Sequence, residues 1–187
     1  VVWAGLDDTK GLDAGIAYVY DLSRAEPTVP VAELSNPSVP MTKRFGSCVA
    51  IAGARVVVAG GRPNDPANAG SAYVYDASSA TPSLPISQLT SPNAKDDFGF
   101  SVAIFGSIVA VGAPGDDVAA PESGAVYVYD LTGPSPTVAA ATLRSPTPSA
   151  EDYFGDVKIS GLHLAVGAGG AGALHLYDLA ACRTSGT

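Results

Sequence analysis

Histidine, cysteine, methionine and tryptophan are nearly absent from this chain, at two, two, one and one among 187 residues. Two histidines leave little material for a Ser/His/Asp nucleophilic site, which needs an imidazole aimed at an exposed serine with an acid behind it. No such set is visible, and the chain reads as non-enzymatic. Two cysteines make no disulfide framework. Cys48 lies in an apolar strand, where a thiol packs as a small hydrophobe, and Cys182 lies in the terminal segment. Basic charge is scarce as well: 10 Lys and Arg against 18 Asp and Glu give a net charge of −8. Without a Lys/Arg run to replace phosphate counterions, nucleic acid is excluded as a partner. No stretch of about 18 uninterrupted apolar residues occurs, so no membrane insertion is expected. The chain opens on Val1 and reads as processed, or as cut from something longer. What it has in quantity is apolar residues, 47 % against 15 % charged, a composition that folds or assembles.

Those residues are arranged in repeats. Ala17-Tyr18-Val19-Tyr20-Asp21, Ala72-Tyr73-Val74-Tyr75-Asp76, Val126-Tyr127-Val128-Tyr129-Asp130 and Leu174-His175-Leu176-Tyr177-Asp178 recur at spacings of 55, 54 and 48 residues. A second marker falls between them at Phe45-Gly46, Phe98-Gly99 and Phe154-Gly155. A period near fifty means one supersecondary unit copied and stacked. The loops keep register too. Pro27, Pro82 and Pro136 each fall six residues after the Asp that closes the tyrosine motif, and Leu34, Leu89 and Leu143 thirteen after it.

The third copy gives the unit most clearly. Phe98 to Ile104, Ile108 to Gly112, Gly124 to Asp130 and Ala141 to Arg144 read as four short strands, a to d, bounded by Gly, Pro or Asp. Successive residues are apolar in Val109-Ala110-Val111, so both faces of the strand need covering. No segment sustains a helical period. Four-stranded sheets repeated about an axis describe an all-β propeller, with a two-sheet sandwich as the alternative.

Phe98-Gly99, Val111-Gly112-Ala113-Pro114 and Gly124-Ala125-Val126-Tyr127-Val128-Tyr129 together resemble the FG-GAP repeat, the unit of integrin α-subunit propellers and of many surface proteins. The resemblance implies blades with strand a innermost, usually seven to a ring. On that pattern blade 1 (1–40) and blade 4 (150–187) are incomplete, and blade 2 (41–93) and blade 3 (94–149) are complete. The chain is then a piece of a longer propeller, or another chain completes it as a ring or filament.

Candidate sites lie in the acidic loops between strands b and c. Asp7 and Asp8 with Asp13, Asn64, Asp65 and Asn68, and Asp116 and Asp117 with Glu122 are hard oxygen donors of the kind that hold Ca²⁺. Integrin-type propellers bind Ca²⁺ between strands a and b instead, where this chain has only Gly53-Ala54-Arg55 or Gly106-Ser107. The resemblance therefore carries no metal site over. The loop carboxylates read as solvated turn residues, with Asp116, Asp117, Asp7 and Asp8 as the metal candidates and no other cofactor expected. Asp21, Asp76, Asp130 and Asp178 read as Asx-turn acceptors. Asp96, Asp97, Glu151 and Asp152 read as surface residues, because Lys43 and Arg44 replace them in the second copy. The tyrosines read as inter-blade filler, with a sugar-stacking platform as the alternative. His163 and His175 read as packing substitutions for Ile108 and for Tyr127 and its copies, and Trp3 as the counterpart of Val58 and Val111.

The expected function is a non-catalytic extracellular or cell-surface module for scaffolding, adhesion or self-assembly through protein–protein contacts. The alternative is a ligand-binding propeller, lectin-like with a glycan partner or calcium-dependent.

Overall fold

β-Branched and aromatic runs form strands close to where the pattern places them. The computed structural model describes residues 1–4, 7, 9, 14–37, 45–60, 70–93 and 96–180. Sheet 1 holds β1 (Val2–Ala4), β2 (Ile16–Tyr20) and β3 (Pro30–Ser35). Sheet 2 holds β4 (Cys48–Ala52), β5 (Arg55–Gly60), β6 (Ser71–Asp76) and β7 (Ser87–Thr90). Sheet 3 holds β8 (Ser101–Phe105), β9 (Ile108–Ala113), β10 (Ala125–Asp130) and β11 (Ala141–Leu143). Sheet 4 holds β12 (Phe154–Ser160), β13 (His163–Ala168) and β14 (Ala173–Asp178). Each sheet is an antiparallel meander in chain order, so the chain is all-β and its four small sheets are consistent with propeller blades. No helix among the described residues is long and apolar enough to cross a membrane.

Local chemistry fixes the turns. Each Asp closing a tyrosine motif accepts the backbone N–H two residues on, at 2.9 Å for Asp21, Asp76 and Asp178 and 3.0 Å for Asp130. These are Asx-turns, as expected. Pro27, Pro82 and Pro136 each follow a residue whose carbonyl accepts the N–H three positions on (Glu26–Val29, Thr81–Leu84, Ser135–Val138). Proline at the second position of such a turn presets its φ.

The core lies between sheets rather than within one. Ala17 and Val19 of sheet 1 pack against Phe45, Val56, Val58, Tyr73 and Tyr75 of sheet 2. Ala72 and Val74 of sheet 2 meet Phe98, Val109, Val111, Tyr127 and Tyr129 of sheet 3 in the same way. Val126 and Val128 of sheet 3 repeat the role against Phe154, Leu164 and Val166 of sheet 4. Burying each phenylalanine contributes about 2 kcal/mol of transfer free energy. The phenylalanine ring then sits tilted on the first tyrosine of its own sheet: Phe45 on Tyr73 at 5.9 Å, Phe98 on Tyr127 at 5.7 Å, and Phe154 on His175 at 5.5 Å. His175 is therefore the packing substitution its position suggested, whereas His163 is an exposed residue at the start of β13.

A glycine precedes strand c where one sheet passes under the next. Gly124 has φ +82°, and a Cβ there would lie 2.3 Å from the Phe154 carbonyl oxygen. Gly15 and Gly70 make the same approach to Phe45 and Phe98.

Three further expectations need correction. Strand a of the third copy begins at Ser101, because Phe98-Gly99 sits in a turn that sends the ring into the core. Trp3 pairs with Ala17, as Ala59 pairs with Ala72 and Gly112 with Val126, so Val2 is the true counterpart of Val58 and Val111. Asp96 and Asp152 are buried, at 1 % and 6 % exposure, because the preceding segment folds back on them. Ser91 donates its hydroxyl to Asp96, and the Ser149 N–H donates to Asp152 at 2.7 Å. Lys43 and Arg44 of the second copy lie outside the described residues.

Candidate functional site

The loop after β9 carries the strongest acidic candidate, and the sheet buries it. Asp116 is 0 % exposed. Its carboxylate accepts the Tyr127 hydroxyl at 2.7 Å, the Asn93 amide at 3.1 Å and the Val118 N–H at 3.1 Å. The Arg144 guanidinium, just past β11, closes the cluster at 3.3 Å. Burial and the Asp116 bond push the Tyr127 hydroxyl up to about 12. Such a carboxylate, paired and hydrogen-bonded on every side, ties strands b, c and d of sheet 3 to the segment arriving from sheet 2. Its sequence signal was Arg144 itself, a cation where the other copies carry Ser35 and Thr90.

The remaining metal candidates do not gather around it. Asp117 is exposed and accepts the Glu122 N–H at 2.7 Å. Asp7 is the backbone counterpart of Asp116, since its carbonyl accepts the Gly15 N–H as that of Asp116 accepts the Gly124 N–H. Its carboxylate accepts the Thr9 N–H at 2.9 Å. Asp8, Asp13, Asn64, Asp65, Asn68 and Cys182 lie outside the described residues. Among the described residues, no group of three or more His, Cys, Asp or Glu is placed to hold a metal ion.

The second tyrosine of the last three motifs bolts its sheet to the previous one. Tyr75, Tyr129 and Tyr177 donate their hydroxyls to the carbonyls of Ser35, Thr90 and Arg144 at 3.3, 3.3 and 3.1 Å. Sequence reading saw the ladder but not these bonds, whose acceptors lie 33 to 40 residues earlier.

The surfaces left over are the outer faces of sheets 1 and 4. On sheet 4, Leu174 and Leu176 are 69 % and 74 % exposed. They take the places of Ala72 and Val74 and of Val126 and Val128, which the following sheet buries. On sheet 1, Val2 is exposed and Tyr18 and Tyr20 are half-buried, although their counterparts Val58, Tyr73 and Tyr75 are buried by the preceding sheet. Trp3 is 43 % exposed, lies over Gly46 and donates its indole N–H to the Phe45 carbonyl at 3.0 Å. An open groove between sheets 1 and 2, beside Tyr20, Asp21, Arg24, Ile51 and Ser78, carries no clustered nucleophile and base.

Comparison with known families fits this geometry. The FG-GAP repeat, a usually non-catalytic unit, matches residues 37–75 and 90–129. Those segments run through strand c of sheets 2 and 3, the sheets that hold four strands. No curated protein matches the chain. The chain carries the FG-GAP repeat at two places, on an all-β frame of four blade-like sheets.

Proposed function

We propose that this chain is a non-catalytic extracellular or cell-surface module that works by protein–protein contact, as a scaffold, adhesion or self-assembly unit. The observation that carries this reading is the apolar surface exposed among the described residues of sheets 4 and 1, at Leu174 and Leu176 and at Val2 beside the half-buried Tyr18 and Tyr20. Contiguous exposed apolar residues on a rigid sheet mark contact surfaces. The turns add rigidity, because Asx bonds and prolines fix the loops that the sheets display. The FG-GAP units at 37–75 and 90–129 fit a surface location, since the repeat is the unit of integrin propellers.

Beads coated with the chain test the reading. They should cluster with one another or bind the surface of the source cells, with no change on adding a chelator or free sugars. Beads that stay dispersed and bind no surface contradict it. Clustering abolished by chelator or by one sugar would move the reading to a calcium-dependent or lectin-like module.

A further inference from the structure

We propose that Thr28, Ser83 and Thr137 are acceptor sites for O-linked glycosylation, one on each connection between strands c and d of sheets 1, 2 and 3. The proposal goes beyond the protein-contact reading and does not depend on it.

Aligned on the Asp that closes the tyrosine motif, these connections carry a hydroxyl at two shared positions. The first is used inside the turn. Ser23, Ser78 and Thr132 donate their hydroxyls to Asp21, Asp76 and Asp130 at 2.6, 2.5 and 2.7 Å. The second, directly after the proline, is left over. Thr28, Ser83 and Thr137 are exposed, and among the described residues no hydrogen bond engages their hydroxyls. The position before the proline carries Glu26, Thr81 and Ser135 and keeps no common chemistry.

The backbone holds these hydroxyls in one pose. The N–H of the next residue closes each turn, from Val29 to Glu26, Leu84 to Thr81 and Val138 to Ser135. Each hydroxyl residue is therefore third in a four-residue turn whose second residue is proline, and proline presets φ there. The residues that close the turns are aliphatic and lie in water: Val29, Leu84 and Val138 are 53 %, 59 % and 63 % exposed. Closing the turn needs only their backbone N–H, and the core takes none of these side chains. A sugar on the neighbouring hydroxyl supplies what they lack, because one face of a pyranose ring is lined with C–H groups that cover an aliphatic side chain.

Charge separates sugar from phosphate at these sites. No charged residue occurs from Ala77 to Asn93 or from Leu131 to Leu143. Arg24 of the first connection is paired with Asp21 at 3.6 Å. A phosphate would bring about −2 of charge with no free arginine in the connection to receive it. A neutral sugar brings none, and Pro/Ser/Thr segments are the composition that carries O-linked sugars.

The placement gives the sugars a role. The Ala77 and Leu131 N–H groups donate to the Ala54 and Ser107 carbonyls, so these connections share the end of the sheets that holds the a–b turns. The Asp116 loop, between strands b and c, lies at the other end. Glycans would stand beside β3, β7 and β11, the outermost strands of their sheets. A bulky hydrophilic group there keeps another strand from adding to an open edge.

The transfer itself is a substitution at the sugar's anomeric carbon. The hydroxyl oxygen attacks that carbon in a nucleoside-diphosphate sugar, forming the new C–O bond as the bond to phosphate breaks. The nucleoside diphosphate leaves, the hydroxyl proton passes to a base of the transferase, and nothing is oxidised or reduced.

Mass spectrometry of the whole chain purified from its source cells tests the assignment. The intact mass should exceed 18.7 kDa by whole sugar residues, and electron-transfer fragmentation should place them on Thr28, Ser83 and Thr137. Alkaline β-elimination should remove the additions. A chain with Thr28→Val, Ser83→Ala and Thr137→Val, made in the same cells, should lose them entirely, with circular dichroism confirming an unchanged fold. Sugar on at least two of these hydroxyls supports the proposal, and sugar on one or none overturns it. Sugar confined to Ser23, Ser78 and Thr132, or phosphate in place of sugar, overturns it as well. Bead clustering decides separately on the protein-contact reading.

Discussion

Tyr129 donates its hydroxyl to the Thr90 carbonyl at 3.3 Å, across the junction between sheets 2 and 3. Burial raises the pKa of that hydroxyl, so it stays a donor throughout the range in which the protein is folded. Tyr129→Phe should cost about 1 kcal/mol, because it leaves a partly buried carbonyl without its donor. Tyr20 holds the same place on the free face of sheet 1, and Tyr20→Phe should leave stability unchanged. Urea denaturation of the two variants measures the difference.

Asp116 holds sheet 3 together through Arg144, Tyr127 and Asn93. Asp116→Ala leaves the guanidinium without its carboxylate. With the Arg144 side chain 29 % exposed, water screens part of that loss, and the cost should be about 2–4 kcal/mol. Thermal melts should show a drop of several degrees. Calcium should not reverse the drop or raise the wild-type melting temperature.

Asp96 gives stability a pH dependence of defined sign. Burial raises its carboxyl above the ordinary 3.8, the Ser91 bond opposes this in part, and the nearby Asp116 charge adds to it. A carboxyl whose folded pKa lies above its unfolded value contributes stability that is complete below the unfolded pKa. That contribution is lost as pH rises through the folded pKa. The stability of wild type relative to Asp96→Asn should therefore fall as pH rises above about 4. Denaturation of both proteins at a series of pH values checks the slope.

Gly124 and Gly161 separate steric from conformational cost. Both have positive φ, +82° and +60°, but a Cβ on Gly161 meets nothing within 4 Å. Gly161→Ala should cost about 1 kcal/mol from backbone conformation alone. Gly124→Ala should cost about 2–4 kcal/mol, since the methyl group also meets the Phe154 backbone. Denaturant midpoints of the two variants test the contrast.

Repetition made the fold legible, because motifs at fixed register can be checked against each other. The Asp after each tyrosine motif was placed correctly for that reason. What failed was local to one copy. Trp3 sits in a strand b with no Phe-Gly marker before it, so spacing gave a register one residue out and only pairing with Ala17 settled it. The burial of Asp96 and Asp152 comes from serines on the preceding segment, and single positions read against Lys43 and Arg44 could not reveal it. Asp116 looked like a loop acid because its countercharge, Arg144, lies 28 residues away.

Light scattering on a sizing column, run over a range of concentrations, bears most directly on whether this chain works by contact through its end sheets. The mass should rise with concentration from that of one chain, 18.7 kDa, toward a defined ring or a growing filament. The Leu174→Lys, Leu176→Lys chain should elute as a single folded unit. A wild type that holds one chain's mass at every concentration would contradict the account: the outer faces of sheets 1 and 4 would then be stable in water without a second copy.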